Sequence, residues 1–192
     1  GNILCLLEYE KVPMTVGNFV GHTNYCELRG IITGTESKIP KWQRQHGIKE
    51  SNVYTYRTMD DIANNDDIDV IYVVTPTGTH KDFAVKAANT GKHVWCEKPM
   101  AMDSEECQAI IDACNKNNVT LSIGYRMQHE PNTRTFHQYI DTKPYGEITA
   151  VSSFAGYSGQ GRSPDNWRMQ KHMGGGALYD MGVYAINGAR FL

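Results

Sequence analysis

Asp69-Val70-Ile71-Tyr72-Val73-Val74 runs without a break into Thr75-Pro76-Thr77-Gly78-Thr79-His80. The first half is a continuous apolar, β-branched run. A strand with one wet face alternates polar and apolar residues, whereas a run without alternation suits a central parallel strand covered on both faces. Pro76 ends it. From Lys81 to about Asn89 the pattern is helical, and Gly91 falls where a helix takes its C′ residue. Strand, polar turn and helix form the repeating unit of a parallel sheet.

The same unit recurs on either side. Downstream, His93-Val94-Trp95-Cys96 reads as the next strand. Asp103 or Ser104 can cap a helix whose apolar face carries Cys107, Ile110, Ile111 and Cys114, and Val119 to Ile123 reads as a further strand. Upstream, Leu28 to Thr33 is a short apolar run ending at Gly34. Thr35 to His46 is helical with Trp42 on its apolar side, and Pro40 makes that helix begin late, near Ile39. Thr58 is placed to cap a short helix through Ile62 and Ala63. The alternation predicts an α/β fold with a doubly wound parallel sheet, Rossmann-like, over residues 1–123. No strand is evident before Leu28. Gly17 and Gly21 do not make the G-x-G-x-x-G turn that holds a pyrophosphate, so the first strand and its glycine turn read as atypical or missing.

After Gly124 the texture changes. A polar helical stretch runs to Ile140, and Gly146 to Ala155 reads as one longer strand. A loop rich in Gly, Ser, Asn and Arg follows, and Gly174-Gly175-Gly176 opens a helix to the end. One strand and two helices cannot bury a core alone. Residues 124–192 therefore read as the truncated start of an α/β open-sheet second domain.

Bulk properties narrow the class. The formal charge of −2 gives no electrostatic case for nucleic acid or an anionic membrane. No apolar run is long enough to span a bilayer, and the opening residues lack a leader pattern. Cys5, Cys26, Cys96, Cys107 and Cys114 are odd in number and show no CxxC pair. They read as buried reduced thiols, with neither a metal site nor a disulfide scaffold. A cytoplasmic setting fits, or a periplasmic one if an export leader precedes this chain.

Ligands of open parallel sheets lie at the carboxyl ends of the strands. Thr75, Pro76, Thr77 and His80 stand at one such end, where a helix N-terminus can hold negative charge; a capped turn alone would read the same way. Glu97-Lys98-Pro99 stands at another. A lysine held there can stabilise an oxyanion on a hydroxyl or ketone carbon, and Pro99 keeps Lys98 out of helical geometry and permits a cis bond. The alternative is a surface ion pair. Asp180 and Tyr184 are i and i+4 on the terminal helix and could together move a proton, or could simply bond each other at a domain interface. At the end of the strand Leu28 to Thr33, Gly34, Thr35 and Lys38 suit a 2′-phosphate and hence NADP; Glu36 could instead reach a ribose hydroxyl and favour NAD.

Taken together, Asp67 to Pro76 with His80, Gly91-Lys92-His93-Val94 leading to Glu97-Lys98-Pro99, and Gly174-Gly175-Gly176 leading to Asp180 and Tyr184 resemble the Gfo/Idh/MocA oxidoreductase family. Gly124-Tyr125-Arg126, Trp167-Arg168 and the tyrosine at 184 look like its glucose–fructose oxidoreductase-like branch. The resemblance implies a Rossmann domain followed by an open-sheet α/β domain, with a sugar or polyol as substrate. It implies hydride transfer to or from NADP, with Lys98 catalytic, Tyr184 as proton donor or acceptor, and Asp180 assisting. Gly34, Thr35, Lys38, Thr75, Pro76, Thr77, His80, Glu97, Lys98 and Arg126 are then expected at the cofactor. Lys98, Trp167, Arg168, Asp180 and Tyr184 are expected at the substrate, and a homo-oligomer is expected for the full-length parent. A sugar- or nucleotide-binding protein on the same scaffold, or an inactive fragment of the enzyme, are the alternatives.

Overall fold

The computed structural model describes residues 5–8, 26–156, 158 and 161–191. The chain divides into two compact units, Gly1–Ile123 and Gly124–Leu192.

The first unit is built on six strands: β1 (Cys5–Glu8), β2 (Gly30–Thr33), β3 (Val53–Tyr54), β4 (Val70–Val74), β5 (His93–Cys96) and β6 (Leu121–Ile123). All pairs are parallel, in the order β3-β2-β1-β4-β5-β6. This is the doubly wound order that reverses direction beside its first strand. Two strands correct the sequence reading. Leu7 of β1 pairs with Ile32 on one side and Val73 on the other, so a strand does precede Leu28 and occupies the centre of the sheet. Four residues, the last of them Glu8, are too few for a periodic signal. β3 has only two residues and is held at the sheet edge by side chains. Asn52 donates to the Arg29 carbonyl at 2.9 Å, and Asn65 donates to Asn52 Oδ1 at 2.9 Å and to the Tyr54 hydroxyl at 2.7 Å. The expectation about a glycine turn falls outside the described residues.

Helices cover both faces, which is why β4 could afford no polar position. Helix α1 (Ile39–His46) starts where Pro40 requires and buries Trp42 against Ile31, Tyr72 and Val74. Helices α2 (His80–Asn89) and α3 (Ser104–Lys116) lie with the opposite cluster, where Ala84, Ala87, Ala88, Ile110 and Cys114 join Ile32, Ile71, Val73 and Val94. The Asp103 carboxylate accepts the Glu106 N–H at 2.8 Å and caps α3. Gly91 follows α2 with φ +77°. Thr58 precedes a 3-10 helix, Met59–Asn64, but does not cap it with its side chain: its hydroxyl accepts from the Thr55 N–H instead, at 2.9 Å. Cys26, Cys96, Cys107 and Cys114 are free thiols. Burial pushes Cys96, Cys107 and Cys114 upward in pKa, so they do not supply thiolates at neutral pH.

The second unit holds α4 (Pro131–Asp141), capped by the Glu130 carboxylate on the Thr133 N–H at 2.8 Å. The strand expected over Gly146 to Ala155 is absent. A strand exists only through a neighbour's backbone, and no described residue pairs with this stretch. Ile148, Val151 and Phe154 are exposed, Phe154 at 94%. Short 3-10 turns at Trp167–Met169 and Lys171–Met173 lead to a π-helical turn, Leu178–Gly182, and then to α5 (Val183–Phe191).

Candidate functional site

Three strand ends present the first unit's candidate groups. After β2, the Thr35 N–H donates to Thr33 Oγ1 at 3.1 Å, and Gly34 lies so close to the Tyr56 ring that a Cβ there would meet it at 2.8 Å. Lys38 follows on a 3-10 turn, half-buried. After β4, Thr75, Pro76 and Thr77 are all buried. The Thr79 hydroxyl lies 2.9 Å from Thr75 Oγ1 and 2.8 Å from the Pro76 carbonyl, so the Thr75 hydroxyl is engaged within its own turn. His80 is 1% exposed, with Nε2 2.8 Å from the Thr75 carbonyl and Nδ1 2.8 Å from the Pro99 carbonyl. The imidazole expected at the cofactor is thus occupied by the protein's own backbone.

After β5, the Tyr72 hydroxyl donates to Glu97 Oε1, and Glu97 Oε2 accepts the Lys98 N–H at 3.1 Å. Tyr72 itself stacks on Trp95, ring centroids 4.4 Å apart. The Glu97 carboxylate therefore holds the turn that carries Lys98. Lys98 is half-buried, and its bond to Pro99 is cis. A hollow of about 600 Å³, lined in part by Asn52, Asn65, Asp66 and Asp67, lies elsewhere, where the chain enters β3 and β4. Its amides and carboxylates are largely spent on the hydrogen bonds that hold β3, which makes it a structural feature.

The second unit gathers charge around Asp180. Arg168 Nε lies 3.4 Å and Arg162 Nη1 3.6 Å from Asp180 Oδ2, and the Asp180 side chain is 15% exposed. The Arg168 guanidinium also sits 4.4 Å above the Trp167 ring. The Gly176 N–H donates to the Arg168 carbonyl at 2.9 Å, and a Cβ on Gly175 would come within 2.6 Å of that same oxygen. The triple glycine is thus what lets the arginine loop close on the helix start. Asp180 belongs to the π-turn, a helix defect often found at functional positions. Tyr184 follows on α5, half-buried, and Arg126 is exposed on a separate 3-10 turn. Arg162 was not anticipated. A partner fixed across a loop leaves no periodic signal, and the arginine content of that loop was the only clue. Among the described residues no cluster of three or more His, Cys, Asp or Glu could hold a metal, and no helix is long and apolar enough to cross a membrane.

The sequence profile of an oxidoreductase family with an NAD-binding Rossmann fold matches residues 13–125, and that of the GFO/IDH/MocA C-terminal domain matches residues 133–192. The chain belongs to the Gfo/Idh/MocA oxidoreductase family. Among curated Gfo/Idh/MocA relatives, D-xylose 1-dehydrogenase [NADP(+)] of Haloarcula marismortui is 35% identical over 141 residues, covering 72% of this chain and 39% of its own. Levoglucosan dehydrogenase of Pseudarthrobacter phenanthrenivorans is 35% identical over 137 residues, covering 68% of this chain and 34% of its own. The crystal structure of aldose-aldose oxidoreductase from Caulobacter crescentus, complexed with glycerol, superposes with a TM-score of 0.93 at 33% identity, covering all of this chain and 57% of that one. This chain thus spans well under two thirds of the length of these members.

Proposed function

We propose that the protein is an NADP-dependent oxidoreductase acting on a sugar or polyol, transferring hydride between a carbinol carbon and the nicotinamide. The observation that carries this reading is Lys98. It stands at the carboxyl end of β5, next to the strand that flanks the switch point, in a turn fixed by the Tyr72–Glu97 bond. When bound, the cofactor supplies the hydride chemistry. The chain's own residues orient and neutralise. Lys98 stabilises negative charge on the reacting oxygen, Tyr184 exchanges the proton, and Asp180 with Trp167 and Arg168 holds the sugar hydroxyls.

The first unit fits a dinucleotide. Gly34, Thr35, Thr75, Pro76 and Thr77 line the ends of the two strands that flank β1, the position where this fold takes its ligand. Lys38, with no acidic residue at the end of β2 itself, favours the 2′-phosphate of NADP; the NADP-dependent xylose dehydrogenase at 35% identity supports that preference. Glu97 stands at the end of β5, Arg126 is proposed as a further cofactor contact, and the intact protein is proposed to be a homo-oligomer.

Replacing Lys98 with methionine in the protein that carries this chain should lower kcat by about 10²- to 10⁴-fold on every accepted sugar. NADPH formation measures it, and full activity in that variant would refute the assignment.

A further inference from the structure

Two prolines interrupt the sheet at the same level. In the β4–β5 ladder the His93 N–H donates to the Asp69 carbonyl and the Glu97 N–H to the Val73 carbonyl, each at 3.0 Å. The next rung in this register would run from residue 99 to the Thr75 carbonyl. Residue 99 is proline and has no N–H to give. A buried carbonyl without a donor is costly, yet the Thr75 oxygen has one within reach: His80 Nε2, at 2.8 Å. The other ring nitrogen reaches the carbonyl of Pro99, the residue next to Lys98, also at 2.8 Å. With the ring 1% exposed, water does not compete for either contact.

We infer that His80 is a positioning residue: its imidazole takes the place of the rung that Pro99 cannot make, and so fixes the backbone from which the Lys98 side chain departs. The inference rests on Lys98 being the catalytic lysine. It also separates His80 from the cofactor contacts, because the ring is buried with both nitrogens facing the protein's own backbone.

Burial holds the imidazole below the usual histidine range, against the pull of the Thr75 and Pro99 carbonyls and the Glu97 carboxylate. A neutral ring has one N–H for two carbonyls. The missing rung assigns that proton to Nε2; against the Pro99 carbonyl the neutral ring then acts as a packed wedge, and Nδ1 donates there only when the ring is charged.

Two replacements test this in the intact protein. Phenylalanine keeps the ring shape without a donor, and the amide nitrogen of glutamine overlays Nε2. His80→Phe is expected to leave the NADP Kd within about twofold while kcat falls by between about tenfold and a hundredfold, as misplacement of a reacting group does. His80→Gln should recover most of that loss. A raised NADP Kd with kcat intact at saturation would overturn the proposal in favour of a cofactor contact. A lowered melting point with unchanged kcat per folded molecule would overturn it in favour of a purely structural role. Should His80→Phe not fold, nitrogen-15 NMR of the parent decides: a slowly exchanging Nε2–H supports the rung, and an Nδ1–H tautomer or rapid exchange with water refutes it. Lys98→Met is the separate control. If that variant stays active the catalytic reading fails, while the NMR signature of His80 would persist.

Discussion

Asp180 is the residue most constrained by its neighbours. Two guanidiniums approach the same carboxylate oxygen, and all three side chains are less than a third exposed. Removing one arginine leaves the other in place, so Arg162→Met or Arg168→Met alone should cost about 0.2–1 kcal/mol. Removing both takes away the two positive charges beside one largely buried carboxylate oxygen. The double variant should therefore cost more than the sum of the singles, by about 0.5–3 kcal/mol, and strict additivity in a double-mutant cycle would sink the idea. His80 makes a second prediction at this scale. Its pKa is lowered in the folded state from 6.5, so the unfolded chain binds more protons between the two values. The stability it contributes is present above pH 6.5 and lost as pH falls through the folded value. His46, also lowered by burial, acts in the same direction. Unfolding midpoints should drop from neutral toward acidic pH, less steeply in His80→Gln than in the parent. Lys98 was legible because a polar run directly after an apolar strand has only one place to go. Arg162 and the inward turn of His80 were not, because each depends on a backbone or carboxylate brought near only by folding.

At the scale of elements, the triple glycine and the missing strand teach opposite lessons. Gly175→Ala would press a methyl group into the Arg168 carbonyl, where 2.6 Å leaves no room. A loss of about 1–3 kcal/mol is expected, read as a lowered melting point. That requirement could be seen in the sequence only as an unusual glycine run. The helices of the first unit were legible almost to the residue, since Pro40, Asp103 and Gly91 are local stop and start signals that fold the same way in any surroundings. The stretch from 146 to 155 also reads as a strand and forms none, because a strand is a property of two segments and a pattern describes only one. β1 failed in the reverse direction: weak as a pattern, it is made by partners on both sides.

For the molecule as a whole, the order β3-β2-β1-β4-β5-β6 reverses beside β1, the position at which the proposed dinucleotide would bind. A ligand that binds only the folded state raises the midpoint by mass action, about 2.7 kcal/mol at a hundredfold excess over Kd. The chain from 1 to 192 should melt cooperatively and show a higher midpoint with NADP than with NAD at equal concentration. Equal shifts would remove the case built on Lys38, and no shift with either would remove nucleotide binding by this chain.

The position of β1 also sets a schedule. β1 is one of the sheet's two central strands and precedes both of its partners, one of which, Val70–Val74, is made much later. A ribosome delivers the keystone first and the arch afterwards. Until β4 emerges, one edge of β1 stays open to any passing strand, which is the situation in which chaperones are needed. The same geometry makes deleting β1 unlike deleting a strand at the edge of the sheet. It would not fray an edge but would part the sheet into β3-β2 and β4-β5-β6, two pieces with no backbone bond between them.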